Sequence, residues 1–192
     1  MERDLSAFIL AGGQSTRMGT DKAFVTFEGR TLLSRMLEIA RSLTPTVRIV
    51  GKAAKYAEFA PVIEDIFPGC GPLAGIHAAL RATQTELNVI LAVDVPFVSA
   101  SLVEYLVSCA RNSLAVTLPR AAGGLQPLCA VYRREFAEAA EKALCAGHYK
   151  IDALFDRTNA QIIQEQELAA AGFSPIMFRN LNRPEDVGAT YE

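Results

Sequence analysis

Histidine is nearly missing from this chain, with His77 and His148 the only two in 192 residues. Cysteine is sparse and scattered: Cys70, Cys109, Cys129 and Cys145 include no Cys-x-x-Cys pair. A structural zinc site draws on closely spaced ligands of these two types, so their distribution argues against one. The cysteines read instead as buried, reduced thiols. An excess of either charge is missing too. Nineteen Lys and Arg against twenty-one Asp and Glu leave a formal net charge of -2, with a pI near 5.8. This near-balance argues against a dedicated nucleic-acid binder or a polybasic membrane-surface protein. Any anion the chain binds must be held by a local site. Long hydrophobic runs are absent as well: the segment Asn88–Val93 falls far short of the about 20 residues that span a bilayer. Met1-Glu-Arg-Asp-Leu5 leads straight into a strand-like segment with no leader pattern. There is no Ser/Gly/Pro-rich linker and no internal repeat. The expectation is one cytoplasmic domain over residues 1–192, with 51% hydrophobic residues to build its core.

What is present is an alternation of short apolar runs and helical stripes. Leu5–Leu10 reads as a strand. From Thr31 to Leu43, residues Leu32, Leu33, Met36, Leu37, Ala40 and Leu43 fall on one helical face. Val47–Val50 is a second strand and Ala60–Ile63 a weaker third. Gly71–Gly75 opens a helix that turns Leu73, Ile76 and Leu80 inward. Leu87–Val93 lacks polar alternation after Asn88, as in a central strand covered on both faces. Ser101-Leu-Val-Glu104 has the spacing of a capping box and is expected to start the next helix. Strands near 114–118, 128–132 and 161–163 and helices near 135–146 and 151–157 complete the series. Such alternation predicts an α/β fold with a mostly parallel, doubly wound sheet. Ligands of such sheets bind beyond the carboxyl ends of the strands, so the residues that follow each apolar run are the candidates.

Leu10-Ala-Gly-Gly13-Gln-Ser-Thr-Arg17-Met-Gly-Thr-Asp-Lys22 follows the first strand. It is not a Walker A loop, which needs Gly-Lys-Ser/Thr five residues after its first glycine. Nor is it the G-x-G-x-x-G fingerprint, because Gly12 and Gly13 are adjacent. Glycines still let backbone N–H groups approach an anion closely. Arg17 would neutralise phosphate by a planar fork and Lys22 as a point charge. A plain strand-exit turn with two surface cations fits the same residues.

Asp94 closes the central apolar run, followed by Val95 and Pro96. A carboxylate there could hold Mg²⁺ against ligand phosphates, or could cap a turn. One carboxylate suffices, because Mg²⁺ keeps several waters and takes other ligands from phosphate oxygens. Ile63-Glu-Asp65 precedes Gly71-Pro-Leu-Ala-Gly75, where two glycines at a helix start allow close contact with a planar base or a phosphate. Asp65 could accept hydrogen bonds from a guanine edge, or could be an ordinary loop aspartate. In Phe178-Arg-Asn180-Leu-Asn182-Arg-Pro-Glu-Asp186, Asn182 resembles a helix N-cap.

These stretches, in this order, resemble the molybdenum cofactor guanylyltransferases, the molybdopterin-guanine dinucleotide biosynthesis protein A family. The likeness rests on LAGGQSTRMGTDK at 10–22, EDIFPGCGPLAG at 64–75, VDVPF at 93–97, QPLCAVYRR at 126–134 and NLNRPED at 180–186. It runs through almost the whole chain, and its first stretch is the most specific. Sugar- and alditol-phosphate nucleotidyltransferases carry a looser loop with a proline before the lysine, where this chain has Asp21.

The resemblance implies a single-domain Rossmann-like nucleotidyltransferase fold of the nucleotide-diphospho-sugar transferase type. Residues of about 1–97 would bind the nucleotide, and about 98–192 the acceptor. It implies a Mg²⁺-dependent transfer of GMP from GTP to molybdenum-molybdopterin, giving molybdopterin guanine dinucleotide and pyrophosphate. Leu10, Ala11, Gly12 and Gly13 would cradle GTP, with Arg17 and Lys22 on its phosphates. Asp65, Gly71 and Gly75 would read guanine, and Asp94 would bind Mg²⁺. Asn180 and Asn182 would face the acceptor. The family also uses a residue at the end of the second strand, often asparagine, where this chain reads Val50-Gly-Lys52. The implied partners are GTP, molybdopterin and maturation proteins of the molybdenum cofactor. Transfer would proceed in line at the α-phosphorus, with no general base, because the attacking phosphate is already ionised. The two histidines then read as structural or surface residues. Two alternatives stay open: a related nucleotidyltransferase using CTP or a sugar phosphate, and a non-catalytic nucleotide-binding regulator.

Overall fold

The computed structural model describes residues 4–12, 21–110, 115–156 and 158–181. Its strands are β1 (Leu5–Leu10), β2 (Thr26–Phe27), β3 (Arg30–Thr31), β4 (Val47–Val50), β5 (Val62–Ile63), β6 (Leu87–Ala92), β7 (Val116–Ala121), β8 (Gly124–Leu125), β9 (Cys129–Arg133) and β10 (Ala160–Ile163). Its helices are α1 (Leu32–Leu43), α2 (Ala53–Tyr56), α3 (Pro72–Ala82), α4 (Ala100–Ala110), α5 (Phe136–Cys145), α6 (Asp152–Phe155) and α7 (Glu165–Ala170).

One sheet runs β10-β7-β9-β6-β1-β4-β5, with β8 paired to β7 off this path. β1 pairs in parallel with both β4 and β6, β4 with β5, and β10 with β7. Only β9 runs against its neighbours β6 and β7 in that path. The sheet is thus mostly parallel, as the alternation of elements implies. Successive side chains of a strand point to opposite faces, and β1 shows the result. Ala7 and Ile9 pack with Leu33, Met36 and Leu37 of α1 and Leu102 and Leu106 of α4. Phe8 and Leu10 pack with Leu73, Ile76 and Leu80 of α3 and Phe136, Ala140 and Leu144 of α5. Covered on both faces, β1 is buried along its whole length, and β6 is buried from Asn88 onward.

Thr31 caps α1 by accepting from the Ser34 N–H, which explains the start of that stripe. The expected box at Ser101–Glu104 is not the cap of α4. Ser99 Oγ accepts from the Leu102 N–H at 3.2 Å, so Ser101 lies inside the first turn and the helix starts earlier. That start turns Leu102 and Val103 into the core. A capping box does occur at Gln164 and Glu167 of α7. The reading of all four cysteines as core is also corrected. Cys129 is buried, Cys70 and Cys109 are half-buried, and Cys145 is exposed. Cys145 follows Leu144 and falls off the stripe Phe136, Ala137, Ala140, Ala143, Leu144 that α5 buries. The β2–β3 hairpin, too short to show a period, turns on Glu28 and Gly29, both in the left-handed region (φ 49° and 78°), as a tight two-residue hairpin turn requires.

Candidate functional site

Strands β1, β4 and β6 are mutually parallel neighbours, so their carboxyl ends open on one edge of the sheet. Backbone bonds knit that edge: the Ala11 and Gly12 N–H groups both donate to Val50 O, at 3.0 and 3.2 Å, and the Val93 N–H donates to Leu10 O at 3.3 Å. The two N–H donors that follow β1 are therefore committed to β4. What residues 10–12 can offer a ligand is carbonyl oxygen.

Asp94 follows β6 in the turn that the apolar run predicts. Its Oδ2 lies 3.2 Å from Lys22 Nζ, with the two side chains 22% and 20% exposed. Two further contacts fix the Asp94 turn. The Leu181 N–H donates to Asp94 O at 2.8 Å, and Phe97 meets the Phe27 ring edge-on at 5.3 Å. The Leu181 bond brings its exposed neighbour Asn180 beside the Asp94 turn. Asn182, Gly13 and Arg17 lie outside the described residues.

Lys22 begins a 3-10 turn, Lys22–Phe24, whose cap is Asp21. Asp21 Oδ1 accepts from the Ala23 N–H at 3.2 Å. Its Oδ2 is 2.6 Å from Lys55 Nζ and 2.8 Å from the Tyr56 hydroxyl. Burial would raise the Asp21 carboxyl, but the bonds from Lys55, Tyr56 and Ala23 outweigh it and hold it below the usual carboxylate value. The Tyr56 hydroxyl, pushed upward by burial and by the Asp21 charge, also lies 3.0 Å from Ala11 O. Gly51, next to the end of β4, lies under this ring: a Cβ there would come within 2.7 Å of Tyr56 Cε2. The strand-end position at which the family resemblance places a nucleotide contact thus has no room for a side chain.

Asp65 follows β5. Its Oδ1 is buried and has no hydrogen-bond partner among the described residues, and burial raises its pKa. An enclosed carboxylate oxygen without a donor is costly unless something supplies one. Gly71, exposed with φ 76°, leads into α3 without a side-chain cap. Gly75 is different. It is buried within α3, and a Cβ there would meet Leu10 Cδ2 at 3.3 Å and Val50 Cγ1 at 3.6 Å. Its small size lets α3 lie close over the ends of β1 and β4, a packing role distinct from the exposed turn at Gly71.

Of the residues singled out from sequence, the structure brings Lys22 and Asp94 into contact and sets Leu10, Ala11 and Gly12 along the same strand ends. Lys55 and Tyr56 carried no signal, and Asp21 and Gly51 stood out only as departures from related patterns, without a role. Tyr56 stands in the alanine-rich stretch Ala53–Ala60, and its contact with Ala11 spans 45 residues. No cluster of three or more His, Cys, Asp and Glu able to hold a metal occurs among the described residues. Asp94 is a lone carboxylate, a donor set that suits a hard cation sharing its ligands with phosphate and water. No helix among the described residues is long and apolar enough to cross a membrane.

Residues 7–162 match the family model of the MobA-like NTP transferase domain. The molybdenum cofactor guanylyltransferase of Desulfosudis oleivorans is 32% identical over 186 residues, which covers 95% of this chain and 92% of that protein. Among solved structures, molybdopterin-guanine dinucleotide biosynthesis protein A from Archaeoglobus fulgidus superposes with a TM-score of 0.82 at 29% identity, covering 95% of each chain. The 2-C-methyl-D-erythritol 4-phosphate cytidylyltransferase of Thermus thermophilus shares the fold, with a TM-score of 0.69 at 21% identity over 98% of this chain and 96% of that one.

Proposed function

The chain belongs to the molybdenum cofactor guanylyltransferase family, within the MobA-like NTP transferases, and from that membership we propose that it transfers GMP from GTP to molybdenum-molybdopterin. The products are molybdopterin guanine dinucleotide and pyrophosphate. That the chain is a nucleotidyltransferase follows from the family itself.

The observation that carries the reading is the Lys22–Asp94 pair, in which the turn that opens at Lys22 meets the residue just past the end of β6. A nucleotide bound with its divalent cation offers one partner to each half of that pair, phosphate to Lys22 and metal to Asp94. Exchanging one opposite charge for another leaves neither group unpaired, and both side chains keep access to solvent. Arg17 is the second phosphate cation in this reading. The cation, Mg²⁺, supplies charge neutralisation for the phosphates when it is bound on Asp94.

Asp65 supports guanine as the base. Guanine carries two adjacent N–H donors on one edge, and an enclosed carboxylate oxygen without a donor complements them. The exposed Gly12 adds a carbonyl acceptor for amino or hydroxyl donors of the nucleoside, and Leu10 and Ala11, whose carbonyls already meet Val93 and Tyr56, can add only their second lone pairs. Gly71 leaves room at the entry to α3, and Gly13, outside the described residues, is assigned to the same nucleotide site. Asn180, exposed beside the Asp94 turn, and Asn182, outside the described residues, are assigned to the acceptor.

The chemistry is an in-line displacement. An oxygen of the acceptor phosphate forms a bond to the α-phosphorus, the bond to the bridging oxygen breaks, and pyrophosphate leaves with that electron pair. No proton has to be removed from the nucleophile. The residues contribute position and charge, the terms that dominate when two anions must be joined. The cysteines are all free among the described residues, which fits a reducing cytoplasm. Transfer of an α-phosphate label from GTP to the pterin product tests the reading. Label that stays in GTP, or appears only as GMP, counts against it.

A further inference from the structure

We propose that Tyr56 is a positioning residue of the transfer, fixing where Lys22 stands relative to the end of β1. The inference rests on the proposed role of Lys22 in holding GTP phosphates.

Four contacts form a closed circuit around the strand ends. Leu10 O accepts from the Val93 N–H at 3.3 Å. Asp94, next in sequence to Val93, pairs with Lys22 at 3.2 Å. Asp21, next to Lys22, accepts from the Tyr56 hydroxyl at 2.8 Å. The same hydroxyl lies 3.0 Å from the carbonyl of Ala11, next to Leu10. Tyr56 thus bridges the end of β1 and the turn that carries Lys22.

The bridge is built to hold one distance. The hydroxyl has one proton and two acceptors, a carboxylate and a carbonyl, both within hydrogen-bond range. Asp21 is kept ionised by its donors, so the bond to it is charge-assisted and strong. The Tyr56 ring is 2% exposed and cannot swing away without leaving that pocket. Gly51 lies against one part of the ring, with no space for even a methyl group, and Phe24 packs near it at a centroid distance of 5.8 Å. Phe24 belongs to the same 3-10 turn as Lys22, so the ring and its hydroxyl grip that turn at two points.

Lysine needs such support more than arginine does. Its ammonium is a point charge on a flexible four-carbon stem, with no planar fork to fix its direction. Holding the backbone of residue 22 fixes the origin of that stem and so limits the region that Nζ can reach, within which Asp94 is one partner. Asp21 couples the two: Oδ1 caps the turn that Lys22 begins, and Oδ2 takes the Tyr56 bond. Lys55, on the same oxygen at 2.6 Å, compensates the carboxylate's charge and leaves the geometry to tyrosine.

A buried tyrosine with a satisfied hydroxyl could serve stability alone, so the test asks whether Tyr56 acts through Lys22. GTP affinity is measured by calorimetry with Mg²⁺ for four full-length proteins: wild type, Tyr56→Phe, Lys22→Ala and the double variant, each with its melting temperature. Tyr56→Phe keeps the ring and removes the bridge. The expected result is an about tenfold weaker affinity in the wild-type background, equivalent to about 1.4 kcal/mol, and a change below about twofold when Lys22 is already alanine. An affinity unchanged by Tyr56→Phe overturns the inference, as does a loss that persists undiminished in the Lys22→Ala background. If Tyr56→Phe does not fold, Asp21→Asn replaces it in the same cycle with the same criteria, because it keeps the shape and weakens the charge-assisted bond. Wild-type protein that binds no GTP overturns the proposed function, a result separate from any of these differences.

Discussion

Lys22 and Asp94, 72 positions apart in sequence, meet at 3.2 Å beside the ends of the two central parallel strands. Their pairing sets opposite charges where an apolar strand gives way to solvent. With both side chains only about one-fifth exposed, the desolvation cost offsets much of the attraction between them, so the retention of the pair has to be weighed by what it does for a ligand. Asp94→Asn is expected to lower turnover about a thousandfold and Lys22→Ala about a hundredfold, in the range seen when preorganised charge at a reacting phosphate is removed. Both variants should stay folded at the assay temperature, with melting temperatures lowered by no more than about 10 °C, the cost of leaving one largely buried charge unpaired. Steady-state rates beside thermal melts check both halves; near wild-type rates for both variants would contradict the site.

Asp65 gives a prediction with two signs. Its enclosed oxygen and upward-shifted pKa come from burial, so the folded carboxyl holds its proton more tightly than the unfolded one. The cost appears as pH rises above the unfolded value of about 3.9 and is complete above the folded value. At neutral pH, Asp65→Asn should therefore raise the melting temperature by about 1–3 °C, a modest gain because the residue is only half-buried. The same change should raise KM for GTP by about tenfold or more, because the acceptor for the base is lost. A variant that lost stability and kept its KM would separate Asp65 from recognition.

Gly51→Ala tests the packing beneath Tyr56. A methyl group would stand 2.7 Å from the ring, and overpacking of this kind costs about 1–3 kcal/mol. Chemical denaturation should show a loss of that size, and Gly12→Ala a smaller one, since its nearest neighbour among the described residues is 3.8 Å away.

His77 is 1% exposed, and neither ring nitrogen has a hydrogen-bond partner among the described residues. Burial lowers its pKa; Glu141, 3.8 Å from Nε2, opposes the shift and Arg81 adds to it. Because the folded imidazole binds its proton less tightly than the unfolded one, the unfolded state takes up protons first as pH falls through about 6.5. Stability supplied by the neutral ring is present above that value and is lost below it. Melting curves of wild type and His77→Leu should diverge in the variant's favour between pH 7 and 5. Parallel pH profiles would contradict the assignment.

Much of this architecture was legible from sequence, for identifiable reasons. Asp94 could be found because it ends an unbroken apolar run, and α1 because its buried residues recur at helical spacing and Thr31 caps it. Signals confined to a few residues misled or were silent. Ser99 and Ser101 both look like caps, and only the helix start distinguishes them. Gly75 resembles Gly71 in sequence, yet one is buried against Leu10 and the other is exposed with a left-handed φ. The Tyr56 bridge joins residues from three separate segments. No local pattern encodes such a contact, because it depends on how the sheet brings its strand ends together.

Guanylyl transfer is decided by a nucleotide panel. Wild-type protein with molybdopterin and Mg²⁺ is given GTP, CTP, UTP or ATP in turn, and pyrophosphate release is measured. Release should be clearly fastest with GTP. Faster release from CTP or UTP would contradict it.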